Sequence, residues 1–191
     1  EDMARFVEVV SQAGCDRFSV HARKAWLQGL SPKQNRNVPP LRYDDVYRLK
    51  QDFPEQIIEI NGGILTLEQT LEQLPFVDAV MVGRAAYDRP YDWVGADASL
   101  FNDPRPLPSR HEVVEGMIPY VEEWTAKGVK LLNITRHMLN LFVGKPGTKA
   151  FKRTISTHPN PPAHEVGRVL RHALAQVPSN EDPASITTRT V

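Results

Sequence analysis

The 191 residues carry 23 Lys/Arg against 23 Asp/Glu, a net charge of zero, and 41% of them are hydrophobic, the balance of an ordinary soluble globular protein. No apolar run approaches the roughly 18 residues that a membrane helix needs, and the acidic, amphipathic opening EDMARFVEVV does not read as a secretory signal. A single cysteine excludes an internal disulfide and fits a reducing, cytoplasmic setting, and no Cys/His spacing suggests a zinc site.

In chain order, Met3, Phe6, Val7 and Val10 recur at helical spacing, which predicts a helix over 1–14 ended by Gly14. Asp16 to His21 reads as a strand. A long loop with Trp26, Pro32, Pro39 and Pro40 follows, and Trp26 and Leu27 predict that part of it folds back onto the protein. Asp44 to Gln51 is helical, Ile57 to Ile60 a strand, Thr66 to Leu74 a helix and Ala79 to Val82 a strand. Each strand is an apolar run and is expected to be buried. The alternation predicts parallel strands with helices outside.

Residues 88–109, with four prolines and no periodicity, read as a linker or irregular crossover. Ser109 and Glu112 then match a capping box at a helix start. Val113, Val114, Met117, Val121 and Trp124 share one face of that helix, and Pro119 is expected to kink it. Leu131 to Phe142 predicts a second helix, Lys149 to Ile155 a third, and the stripe Val166, Val169, Leu170, Ala173, Leu174 and Val177 a fourth. Residues 110–177 therefore read as a small helical bundle, and the polar tail 178–191 as disordered.

Charge is uneven. Residues 1–109 carry 12 Lys/Arg against 16 Asp/Glu, whereas 110–177 carry 10 against 5. No acid lies between Glu123 and Glu165, where Lys127, Lys130, Arg136, Lys145, Lys149, Lys152 and Arg153 all fall. That stretch points to a polyanionic partner or to a solvated helix face balanced in three dimensions.

Three corners can carry chemistry. Asn61-Gly62-Gly63 follows a strand directly, and glycine lets a ligand approach the backbone closely. Gly83-Arg84 follows the next strand and joins an exposed N–H to a forked cation suited to phosphate. Each is weak alone. One α–β unit apart, they match the phosphate site that the last two strands of a (β/α)₈ barrel build. His21 closes the first strand, where it can donate a proton, bond a cofactor ring or serve structure alone. Cys15, beside Asp16 and ahead of the strand, reads as packing rather than as a nucleophile.

Together these segments resemble the tRNA-dihydrouridine synthases. VHARKAWLQGLSP at 20–32 is similar to the subgroup acting on D-loop uridines 20 and 20a. INGGI and VMVGRAAY are similar to that family's last two barrel strands, and RHMLNLFVGKPGTKAFKR at 136–153 to its C-terminal helical domain. The resemblance implies an α/β fold: the last three β/α units of an FMN-binding TIM (β/α)₈ barrel over 1–95, a linker over 96–109, and a helical tRNA-binding domain over 110–177. It implies that His21, Arg23, Asn61, Gly62, Gly63, Gly83 and Arg84 bind FMN, with NADPH as reductant. It also implies that Lys24, Arg136, Lys145, Lys149, Lys152 and Arg153 meet tRNA.

The family's general-acid cysteine and a flavin-contacting lysine belong to a part of the pattern that has no counterpart in these residues. The expectation is therefore of a C-terminal fragment, inactive alone, that pairs with a second copy or with the missing half. The alternatives are a non-catalytic RNA-binding or structural fragment, and another FMN-barrel oxidoreductase.

Overall fold

The computed structural model describes residues 2–158 and 161–179. These fall into two compact units, Glu1–Ala85 and Ala86–Val191.

The first unit is a parallel three-stranded sheet with helices on one side. Helix α1 (Asp2–Gln12) buries Val7 and leads through Gly14 into β1 (Arg17–His21). A single turn, α2 (Pro32–Asn35), sits within the following loop, and α3 (Tyr43–Asp52) returns to β2 (Ile57–Asn61). Helix α4 (Leu67–Gln73) is capped by Thr66, whose side chain accepts from the Gln69 N–H, and precedes β3 (Ala79–Met81). The sheet order is β1-β2-β3, with His21 opposite Asn61 and Asn61 opposite Met81. Strictly parallel pairing brings all three carboxyl ends to one edge, where open α/β sheets bind their ligands.

The pleat decides what is buried. Phe18, Ile58 and Ile60 pack with Val7, Val46, Leu49 and Val77 beneath the helices. The other face carries Arg17, Ser19, Glu59, Asn61 and Met81, with Arg17 and Glu59 paired at 2.8 Å. The strands are thus buried on one face only, and Ile57 and Met81 stay 40% and 44% exposed. Asp78 fastens the underside. Its carboxylate takes the Ile58 N–H at 2.8 Å and Lys50 Nζ at 2.9 Å. Burial pushes its pKa up, but these two partners outweigh that and hold it below the usual value.

The second unit is all-helical. Helix α5 (Arg84–Asp88) spans the boundary between the units, and the stretch read as a linker from 88 on holds a 3₁₀ turn at Pro90–Trp93 and α6 (Ala96–Phe101). These are short turns without a repeating apolar stripe, which is why periodicity misses them. Helix α7 (Arg110–Ala126) starts at the Ser109–Glu112 capping box and runs on through an exposed Pro119. Its buried face is Val114, Ile118 and Val121, and Trp124 points outward at 38% exposure.

The predicted second helix is only α8 (Leu131–Thr135). Beyond it the chain forms successive i→i+3 turns through Val143. The carbonyls at its end are met without a helix: Arg110 Nε donates to the Leu141 carbonyl at 2.8 Å, and the Phe142 carbonyl accepts the Lys145 N–H and the Thr148 hydroxyl, while Pro146 has no N–H to offer it. Helix α9 (Thr148–Thr157) and helix α10 (Val166–Leu174) complete the core around Phe142, Phe151, Ile155 and Leu170. Gly147, with φ of 81°, lets α9 start against the backbone near Gln176; a Cβ there would lie 2.0 Å from the Gln176 carbonyl oxygen. Most of the tail read as disordered, from residue 180 on, lies outside the described residues.

Arg110 is 7% exposed, and its guanidinium lies 3.8 Å from the Tyr91 ring centroid. Removing it leaves the Leu141 carbonyl without that partner in a buried site. Arg110→Ala is expected to destabilise the second unit by about 2–3 kcal/mol, read as a lowered urea midpoint. An unchanged midpoint would show that its contacts with the Leu141 carbonyl and the Tyr91 ring carry little of the unit's stability.

Candidate functional site at the carboxyl edge of the sheet

The sheet brings His21, Arg23, Asn61, Gly62, Gly63, Gly83 and Arg84 to its carboxyl edge, the first five within three residues of the His21–Asn61 pair. The backbone is continuous across that edge, since Ala22 N–H donates to the Asn61 carbonyl at 2.7 Å. Gly62 and Gly63 follow with φ of 121° and 74°. A Cβ on Gly62 would lie 3.1 Å from His21 Cε1, and one on Gly63 would lie 2.5 Å from Leu41 Cδ1. Both positions therefore favour glycine, chiefly for their positive φ. The Tyr43 hydroxyl fixes the turn by donating to the Gly62 carbonyl at 2.7 Å. Burial raises the Tyr43 pKa, with Arg23 acting the other way, so the phenol remains a donor at neutral pH.

Gly83 is open, with nothing among the described residues within 4 Å of a Cβ placed there. Arg84 reaches across to the loop after β1, donating Nη1 to Asn37 Oδ1 at 2.7 Å and Nη2 to the Arg36 carbonyl at 3.3 Å. Two of its N–H groups are used, and a guanidinium has five. Arg23 Nη1 donates to the Pro39 carbonyl, while its Nε is buried without a hydrogen-bond partner. The Asn61 amide is turned to Met81 Sδ at 2.9 Å, a weak acceptor that an oxygen ligand would readily replace.

The edge is cationic. His21 has its pKa lowered first by partial loss of water and then by Arg23, Arg84 and Arg36. Its ring is therefore neutral at pH 7 and presents one donor and one acceptor. A buried unpartnered Arg23 Nε, a guanidinium with spare donors and two glycines at positive φ form a donor set that fits a phosphate-bearing ligand. Among the described residues no group of three or more His, Cys, Asp or Glu could hold a metal ion.

Arg36, Asn37 and Tyr43 were missed as parts of this corner. One signal was legible: residues 22–42 contain Arg23, Lys24, Lys33, Arg36 and Arg42 and no acid. Trp26 and Leu27 do not fold back onto the protein. They are 46% and 93% exposed, because the Asn35 side chain grips the Trp26 backbone and leaves its ring outward. Cys15 precedes β1 and so lies at the sheet end opposite His21, six positions along the chain.

The basic residues proposed for RNA divide between the units. Lys24 is exposed on the β1–α3 loop of the first. Of the second unit's set, Arg136, Lys149 and Arg153 are exposed, whereas Lys145 and Lys152 are half-buried. Lys149 and Arg153 share a face of α9 at i,i+4 spacing. Lys152 donates to Asn140 Oδ1 at 3.0 Å. Arg136 Nε donates to His137 Nε2 at 3.1 Å, and His137 Nδ1 meets the Tyr87 hydroxyl at 3.0 Å. Lys127 is paired with Glu123 and lies 4.7 Å over the Trp124 ring, so local pairing offsets its charge.

The lowered His21 pKa gives a pH dependence. The folded state disfavours protonated His21, so its contribution to stability is complete above about pH 6.5 and is lost as pH falls through the lowered midpoint. An NMR titration is expected to place the His21 midpoint below 6.5. Arg84→Gln, or added inorganic phosphate, is expected to move it upward. A midpoint above 6.5 without phosphate would contradict the cationic corner.

The family model described as dihydrouridine synthase matches residues 1–176. A Synechocystis sp. protein named tRNA-dihydrouridine(20/20a) synthase is 58% identical over 156 residues, covering 82% of this chain and 47% of its own. Proteins of the same name from Vibrio vulnificus and Vibrio parahaemolyticus are 45% and 48% identical, covering 95% and 93% of this chain and 56% and 55% of their own. The chain thus spans about half the length of the curated relatives it matches. On this evidence the chain belongs to the dihydrouridine synthase family.

Proposed function

We propose that the chain is part of a tRNA-dihydrouridine(20/20a) synthase, and that its sheet edge holds the phosphate end of FMN. The observation that supports this most is the corner itself: Gly62-Gly63 in left-handed conformations beside neutral His21, with Arg23 and Arg84 converging from two strands. In the wider reading the three β/α units are the end of a TIM barrel, and the second unit, with Lys149 and Arg153 on one face of α9, contacts tRNA.

Within that reading the residues have distinct tasks. Gly62 and Gly63 let the ligand approach the backbone, and Arg84 and Arg23 neutralise its phosphate. Asn37 and the Arg36 carbonyl aim the Arg84 fork. His21 supplies a neutral hydrogen-bonding group beside the ring system. When bound, FMN reduced by NADPH supplies hydride to the uracil ring of a D-loop uridine. The proton that completes dihydrouridine needs an acid at this edge. Cys15 lies at the other end of β1 and is not that acid; in this reading the residues here provide binding and orientation, and the acid is the cysteine that the family resemblance places outside these residues. That placement also favours a second reading, in which this chain binds RNA without catalysing.

If the phosphate end carries the affinity, FMN is expected to bind and riboflavin, lacking the phosphate, to bind roughly 10-fold or more weakly by fluorescence titration. Arg84→Ala should remove the difference. Equal affinity for the two, or an FMN affinity indifferent to Arg84→Ala, would show that the corner does not read phosphate.

A further inference from the structure

The loop between β1 and α3 carries more structure than a connection needs. It is fastened at its root: Arg23 and Leu41 form an antiparallel bridge, and Arg42 N–H donates to the Ala22 carbonyl at 2.8 Å. It is fastened on its flank by Arg84, through Asn37 and the Arg36 carbonyl. It is fastened at its centre by Asn35. The Asn35 carboxamide accepts the Trp26 N–H at 2.7 Å and donates to the Trp26 carbonyl at 3.0 Å, and also reaches the Leu30 and Ser31 carbonyls. A capping box at Ser31 and Gln34 holds α2 and with it Asn35.

Among the described residues, the hydrogen bonds to Trp26 are made by its backbone. The indole makes no ring contact among the described residues and is 46% exposed beside Leu27, which is 93% exposed. A large apolar pair held outward on a pinned loop is not explained by packing. The same loop bears Arg23, Lys24, Lys33 and Arg36 and no acid, while Arg42 at its end is paired with Asp45 at 2.6 Å, so its charge favours an anionic partner. An aromatic face among cations is the recognition chemistry of an unpaired nucleotide: the base stacks and the phosphates pair.

We propose that Trp26, with Leu27 beside it, is a stacking platform for an unpaired base of the RNA substrate, that Lys24 and Lys33 hold the flanking phosphates, and that Asn35 is the residue that positions the platform. The inference rests on the reading that this chain takes tRNA, and it adds the contact by which a splayed base is held. A protein partner would use the same apolar pair without needing the cations, and the test separates the two.

The experiment is fluorescence polarisation with labelled tRNA transcript and with a labelled single-stranded uridine-containing oligonucleotide, using the 191-residue chain at several salt concentrations. Trp26→Ala is expected to weaken binding of both roughly 10-fold, and Trp26→Phe to restore most of it. The fold is not at risk, since the Asn35 bonds go to backbone. Asn35→Ala keeps the indole but frees the loop, and is expected to give a smaller loss. Stacking releases no counterions, so Trp26→Ala should leave the salt slope unchanged, whereas Lys24→Gln with Lys33→Gln should flatten it.

If the wild type binds tRNA and Trp26→Ala binds equally well, this inference is overturned and the functional reading stands. If Trp26 is needed for the oligonucleotide but tRNA has no advantage over unrelated folded RNA, the inference stands and the functional reading fails. If neither RNA binds, both are overturned.

Discussion

The left-handed turn at Gly62-Gly63 is the constraint on which the first unit depends. Parallel pairing sets His21 opposite Asn61, and the next two residues must turn away without carrying a side chain into His21 or Leu41. Leu41 is also the residue that bridges Arg23, so the turn that opens the strand edge is the turn against which the long loop is seated. Tyr43, bonded to the Gly62 carbonyl, ties the start of α3 to the same point. A Cβ at Gly63 would meet the Leu41 side chain and lie 3.2 Å from the Tyr43 hydroxyl. The candidate site and the packing around it therefore have one origin.

Electrostatics at the edge follows from that geometry. Arg23, Arg36 and Arg84 arrive from two different segments, and none is offset by a carboxylate partner among the described residues. The histidine beside them answers by staying neutral. Elsewhere the first unit pairs its charges, as at Arg17 with Glu59 and Lys50 with Asp78. Three guanidinium groups gathered at one strand edge, with no carboxylate partner among the described residues, favour an anion there. In the second unit Lys127 is paired with Glu123, so its density of basic residues overstates the free charge.

The strands, their order and the corner residues were legible because parallel strands in this fold carry apolar positions ended by glycine, and periodicity reports both. The helix start at Ser109 was legible because a capping box is local. What escaped the sequence was non-local. Arg110 takes the Leu141 carbonyl across 31 positions, which no window can see. The outward Trp26 depends on Asn35 nine residues away. The apolar letters of β2 hide that Ile57 faces water, since pleat parity is set by partners in space. The basic residues of α9 were legible as a group, but Lys152 is tied to Asn140, a pairing that charge counting does not reveal.

The central claim is that the glycine-lined carboxyl edge of the sheet is an anion site. Amide NMR during titration with inorganic phosphate tests it most directly. The account predicts saturable shifts at the backbone amides of Gly62, Gly63 and Gly83 and at Nε of Arg23 and Arg84. Shifts confined to Lys149, Arg153 and their neighbours on α9, with the strand-end glycines silent, would contradict it.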